Sequence, residues 1–154
     1  MAQNLLQNVY LFRDLSSAEL ELISEITESD AYVAGDDVFS ETDAAEALYV
    51  IKHGSVRIHQ KSDSGDNMEV ANLGTGSHFG EMAFVDGEKR SASATATERS
   101  EVIFIKYDRL KELLQVNPRI AVHFYKELSR FLCGRLRVTT NDLSFAREKN
   151  LSHF

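Results

Sequence analysis

The sequence of 154 residues predicts an α+β fold that is mainly β. It reads as a double-stranded β-helix or jelly-roll β-barrel, flanked by a short N-terminal helix and by C-terminal helices of which the last is long. Three observations lead there. A capping-box pattern near the start is followed by apolar residues at helical spacing. Short β-type runs punctuated by glycine, aspartate and serine fill residues 30–106. From Tyr107 onward the apolar residues return to helical spacing. The length suits one domain with a hydrophobic core, so 1–154 reads as one unit: a helical segment over 1–29, a β-roll over 30–106 and C-terminal helices over 107–149.

The elements follow in order. Leu15 precedes Ser16-Ser17-Ala18-Glu19, and Leu20, Ile23 and Ile26 recur behind it, which predicts a helix from Ser17 to Thr27. Strands are expected at Ala31–Ala34, Asp37–Ser40, Ala47–Lys52, Ser55–Lys61, Met68–Leu73, Ser91–Ala96 and Glu101–Lys106. Gly35-Asp36-Asp37, His53-Gly54 and the polar tip from Ser62 to Asn67 supply turns. A closed roll would carry Val50, Val56, Ile58, Val70 and Val102 on its inner face. Leu110, Leu113 and Leu114 mark a helix over Tyr107–Val116. Asn117-Pro118 then gives an N-cap with proline at the first helical position, opening a helix that runs to about Lys149. That helix carries two apolar stripes, Phe124, Leu128 and Phe131, and Leu132, Leu136 and Leu143. Two stripes imply two partners: the roll, and a second copy of the same helix in a two-fold homodimer.

Composition narrows the function. A net charge of −7 is the wrong sign for a general nucleic-acid surface. Seven basic residues stand against three acidic ones between Arg119 and Lys149, an asymmetry that a solvated helix face explains. Cys133 is the only cysteine, which leaves no internal disulfide or cysteine metal site, and it is expected to pack in a helix as a small hydrophobe. The start has no basic leader, and no segment reaches the roughly 20 apolar residues that span a bilayer. A cytosolic protein with no membrane contact is expected.

The loop from Phe79 to Ala96, Phe-Gly-Glu-Met-Ala-Phe-Val-Asp-Gly-Glu-Lys-Arg-Ser-Ala-Ser-Ala-Thr-Ala, carries the chemistry. A glycine followed by one turn of helix presents backbone N–H groups, and Arg90 adds a forked cation, so the segment can hold a phosphate diester. Glu81 is left to accept hydrogen bonds from a neutral donor such as a sugar hydroxyl. Ala92, Ala94 and Ala96 leave room on one strand face for a ligand or for close packing.

Phe79-Gly80-Glu81-Met82-Ala83 followed by Lys89-Arg90-Ser91-Ala92 resembles the phosphate-binding cassette of cyclic nucleotide-binding domains. The likeness extends to Val9–Ser16, the turn glycines Gly35 and Gly54, Gly76 ahead of the cassette, and the closing helix. It implies that Arg90 pairs with an exocyclic oxygen of a cyclic phosphate and that Glu81 accepts from the ribose 2′-hydroxyl. The amides of Gly80, Met82 and Ala83, with Ser91 and Ala92 beside them, would complete the cradle. Arg135-Leu136-Arg137-Val138-Thr139-Thr140 resembles the stretch in which two adjacent hydroxyl residues contact adenine, one from each protomer. Arg135 matches an arginine near the nucleotide. The implied ligand is cyclic AMP, and Ser91, where cyclic GMP-selective relatives carry a threonine, keeps cyclic GMP open. Two departures stand out. Lys89 replaces a proline, and Glu41-Thr42-Asp43 lacks the glycine usual after the second strand.

The resemblance implies a non-catalytic sensor with no cofactor, in which the long helix docks over the base and signals to an effector that the sequence does not name. In the family of the bacterial catabolite activator protein a helix-turn-helix follows that helix. This sequence ends at Phe154, so no DNA contact is expected by that route. Two alternatives are kept: a scaffold or interaction module of the same fold without nucleotide, in which Glu81 and Arg90 merely pair with each other, and a cupin-type metal enzyme using His53 and His59. Gly74, Gly76 and Gly80 do not fit a dinucleotide fingerprint, and no catalytic triad context is visible.

Overall fold

In the computed structural model, which describes residues 2–151, the chain opens with α1 (Ala2–Leu6), a 3-10 turn (Tyr10–Phe12) and α2 (Ser17–Ser24). The expected domain limits at 1 and 154 lie outside those residues. The capping box forms as the sequence predicts. The Glu19 N–H donates to the Ser16 hydroxyl at 3.2 Å, and the Ser16 N–H donates to the Glu19 carboxylate at 2.9 Å. That second bond holds the Glu19 carboxyl below its ordinary value. Ser16→Ala is expected to cost about 1 kcal/mol, read as a lower urea midpoint at unchanged slope.

Eight strands follow: β1 (Thr27–Tyr32), β2 (Asp37–Phe39), β3 (Ala47–His53), β4 (Ser55–Lys61), β5 (Asn67–Gly74), β6 (His78–Phe79), β7 (Ser93–Ala96) and β8 (Ser100–Lys106). They build two antiparallel four-stranded sheets, ordered β1-β8-β3-β6 and β2-β7-β4-β5, a jelly roll as expected, within the small sandwich or barrel to which the spacing of the runs points. Between β6 and β7 lies α3 (Met82–Asp86), and α4 (Tyr107–Val116) and α5 (Pro118–Leu151) complete the described residues.

Two apolar clusters hold this together. Inside the roll, Ile51, Phe79 and Val102 of one sheet meet Val56 and Ala94 of the other. On the outside of the first sheet, Leu48, Val50 and Ile105 pack under Leu11, Phe12, Leu110, Ile120, Phe124 and Leu128 from the helices. Phe124 and Leu128 are each at most 2% exposed, and at about 1.5–3 kcal/mol per buried side chain they anchor α5 to the body.

Several expectations are corrected. The helix expected over Ser17–Thr27, α2, stops at Ser24, and Thr27 instead opens β1, paired with Ile105. This edge strand, Thr-Glu-Ser-Asp-Ala-Tyr, is held by backbone pairing to β8 and has no apolar alternation to announce it. Val50 faces the helices while Ile51 takes the inner position, because β3 is buried on both faces and its parity cannot be read from hydrophobicity. Val70 is 48% exposed: Ile58 pairs Ala71 and His59 pairs Glu69, so Val70 is the extra residue of a β-bulge. Asn117 does not cap α5 with its side chain. Its amide donates to the Leu113 carbonyl at 2.8 Å, closing α4, and only its backbone carbonyl serves α5 by accepting from the Ala121 N–H. Cys133 is exposed, since α5 buries Leu128 and half-buries Phe131 and Leu132 on its packed side and turns the thiol outward.

Candidate functional site

The cassette lies along a cavity of about 710 Å³ roofed by the middle of α5. Of the ten residues singled out in the sequence, nine line it: Gly80, Glu81, Met82, Ala83, Arg90, Ser91 and Ala92 from the cassette, Arg135 and Thr139 from α5. Thr140 is exposed on α5 outside the lining. The bulged Val70 and the side chains of Phe131, Leu132 and Leu136 add an apolar wall.

Arg90 is 5% exposed. One guanidinium nitrogen, Nη2, donates to the Ala47 carbonyl at 2.7 Å, and Nη1 donates to the Gly80 carbonyl at 3.2 Å and the Tyr107 hydroxyl at 3.0 Å. Its plane sits over the Phe39 ring, 4.1 Å from the centroid, and Nε is buried without a partner. All three oxygens are neutral. Among the described residues no carboxylate lies within ion-pair distance of this cation. A buried charge of that kind is costly unless an opposite charge reaches it, and it faces a cavity.

The backbone of Arg90 is clamped as well. Its N–H donates to the Asp43 carbonyl at 2.8 Å, and its carbonyl accepts from the Thr42 N–H at 2.9 Å. Thr42 holds φ of +73°, so the threonine adopts the left-handed conformation for which a glycine was missed in the sequence. A β-branched residue there carries about 1–2 kcal/mol of strain. Thr42→Gly is therefore expected to raise stability by up to about 1 kcal/mol after the entropy of the added glycine, checked by thermal melting.

Glu81, 8% exposed, does not pair with Arg90. Its Oε1 lies 3.0 Å from Nδ1 of His78, itself 5% exposed. Sequence reading missed His78, although its place three residues before the glutamate was a signal. It also missed Tyr107, whose hydroxyl donates to the Gly80 carbonyl while accepting from Arg90. Burial pushes the Tyr107 phenol up, against the pull of Arg90, so it stays protonated as a donor at neutral pH. Gly80 holds φ of +82° where the chain turns into α3, and the first amides of a helix have no partner within it. Ser91 is exposed, with its hydroxyl 3.9 Å from the Met82 sulfur, and its carbonyl accepts from Gln60 at 2.7 Å. Ala92, Ala94 and Ala96 are buried, with Ala94 in the roll interior.

His59 Nε2 lies 2.8 Å from the Thr95 hydroxyl, which donates to Asp37, and among the described residues no three histidine, cysteine or acidic side chains converge on a metal site. Two of the basic residues of α5 are spent on Glu19 and Glu127: Arg119 at 3.6 Å and Arg130 at 3.5 Å. No helix among the described residues is long and apolar enough to cross a membrane.

A sequence profile described as "Cyclic nucleotide-binding domain" matches residues 30–117. The cyclic AMP receptor protein of Thermus thermophilus is 32% identical over 143 residues, covering 91% of this chain and 64% of that protein. The cyclic GMP-binding protein C of Dictyostelium discoideum is 33% identical over 120 residues, which is 78% of this chain and 4% of that protein. The crystal structure of the Thermus thermophilus catabolite activator protein superposes with a TM-score of 0.79 at 31% identity, covering 88% of this chain and 62% of that one. This chain therefore spans less than two thirds of the length of those bacterial relatives.

Proposed function

The chain belongs to the cyclic nucleotide-binding domain family, and we propose that it binds a cyclic nucleotide, cyclic AMP in preference to cyclic GMP, as a non-catalytic regulatory module read out through α5. The observation that carries this reading is Arg90: a buried guanidinium with no carboxylate partner among the described residues, in the wall of a nucleotide-sized cavity. The ligand must bring an anion to it. Glu81 stands in the same wall and would repel a second anionic group, so the rest of the ligand must offer it a neutral donor, as a ribose 2′-hydroxyl does. The amides of Gly80, Met82 and Ala83, with Ser91 beside them and the small Ala92 leaving room, complete the phosphate cradle in this reading.

Leu132 and Leu136 offer apolar contact to a base, and Arg135 and Thr139 line the same cavity. Thr139 serves the adenine of its own cavity, and Thr140, outside that cavity, serves the partner's. Thr139→Ala is expected to weaken cyclic AMP binding by about three- to tenfold, the worth of one neutral hydrogen bond; cyclic GMP should be affected less. Equal affinities of Thr139→Ala and the parent for cyclic AMP would remove this assignment.

A ligand shifts the α5 equilibrium only by its differential affinity for the docked helix, so the output belongs to whatever reads α5. Leu136, Val138, Leu143 and Phe145 on its distal half are all more than 50% exposed, which supports a homodimer through that helix. The net charge of −7 supports a partner other than nucleic acid for these residues, and the single cysteine fits a cytosolic setting. Calorimetry with cyclic AMP and cyclic GMP tests the core of the reading. Micromolar or tighter binding of cyclic AMP is expected, and no heat together with no thermal shift from either nucleotide would defeat it. Light scattering should give twice the chain mass at micromolar concentration.

A further inference from the structure

His78 has no part in the roles assigned so far. It occupies the first position of the two-residue strand β6, opposite Val50 of β3, and its ring packs on Phe131 of α5 with centroids 4.4 Å apart. An apolar ring would fill that slot without leaving polar atoms dry, yet the imidazole is 5% exposed and Nε2 has no partner. What the imidazole adds is Nδ1, 3.0 Å from Oε1 of Glu81, at contact distance but off the line of a hydrogen bond. Among the described residues it is the one basic side chain within reach of that carboxylate.

A buried carboxylate that must meet a sugar hydroxyl in one orientation has to be held on its other side. A carboxylate accepts at both oxygens, so a donor fixing Oε1 leaves Oε2 for the ligand. Resting on the cyclic nucleotide reading above, we propose that His78 is a positioning residue for Glu81: its Nδ1–H fixes one carboxylate oxygen so that the other accepts from the ribose 2′-hydroxyl. The alignment tightens when the ligand arrives, as hydrogen bonds in unliganded sites commonly do. Through the Phe131 contact the same ring ties the orientation of Glu81 to the seat of α5.

The test uses the whole chain and two ligands, cyclic AMP and 2′-deoxy cyclic AMP, titrated calorimetrically into the parent, His78→Phe, His78→Asn and His78→Gln. Asparagine places its amide nitrogen near where Nδ1 stands, whereas glutamine reaches past it. For cyclic AMP, His78→Phe and His78→Gln are expected to lose about tenfold in affinity and His78→Asn to stay within about threefold. For the 2′-deoxy ligand all four proteins should bind alike, because the group that Glu81 reads is gone. Equal losses for both ligands would make His78 a packing residue and overturn the proposal, as would no loss for either. Should His78→Phe fail to fold, the contrast between Asn and Gln decides, and indistinguishable behaviour of those two overturns it. A parent that binds both ligands equally removes Glu81 as sugar reader, and this proposal with it, while leaving the phosphate reading intact. A parent that binds neither defeats the function proposed above.

Discussion

Arg90→Leu is expected to lower cyclic AMP affinity by about a hundredfold or more. Two charge-assisted bonds to phosphate oxygens are worth about 1.5–3 kcal/mol each, and the leucine supplies neither. The loss should exceed the loss of stability. In the ligand-free fold the guanidinium satisfies three neutral oxygens, those of Gly80, Ala47 and Tyr107, but it is also a buried cation without a counter-charge among the described residues. Leucine forfeits those bonds and the stacking on Phe39, and at the same time relieves the desolvated charge, so the two effects oppose each other. Arg90→Lys separates charge from shape. It keeps a cation but cannot reach the Ala47 and Gly80 carbonyls as a fork, so its affinity should fall between the parent and the leucine variant. Calorimetry and thermal melting on the three proteins check this, and an Arg90→Leu chain that binds cyclic AMP within threefold of the parent would end the anion-site reading.

What the sequence disclosed about this site follows from range. The spacing of Gly80, Glu81 and Arg90 is local, so the cassette could be recognised and its residues placed together on one loop. The capping box at Ser16 and the proline opening α5 are local too, and both appear where expected. The partners of Arg90 are not local. Ala47 is 43 positions away and Tyr107 is 17, and only the roll's sheet pairing brings them to the guanidinium. The same limit hid the inner face of β3. A strand buried on both sides shows a continuous apolar run, so Val50 and Ile51 exchange roles with no trace in hydrophobicity. Thr42 illustrates the converse case, since the missing glycine was visible but not the fact that the turn keeps its left-handed geometry without it. His78 was overlooked because a lone histidine beside a phenylalanine reads as ordinary core until its nitrogen is found against Glu81.

Gly80 brings the fold and the site to one atom, and Gly80→Ala should damage both. Its φ of +82° is a conformation that costs an L residue about 1–2 kcal/mol, and a Cβ built there would stand 2.9 Å from Arg90 Nη1 and 3.2 Å from the Ala47 carbonyl oxygen. The carbonyl belongs to β3 and gives little, so the guanidinium must move. A destabilisation of about 1–3 kcal/mol is expected, seen as a melting temperature several degrees lower. Cyclic AMP affinity should fall by at least about tenfold as Arg90 leaves the Gly80 and Ala47 carbonyls that aim it. The cause can be isolated by combining the variants. If the methyl group acts on binding through Arg90, then Gly80→Ala placed in an Arg90→Leu chain should keep its cost to stability but take nothing further from affinity, a non-additivity expected of neighbours in one network. Additive losses in affinity would mean that the Gly80 substitution acts chiefly through its amide in the cradle and not through the arginine, and the order of importance within the cassette would be reversed.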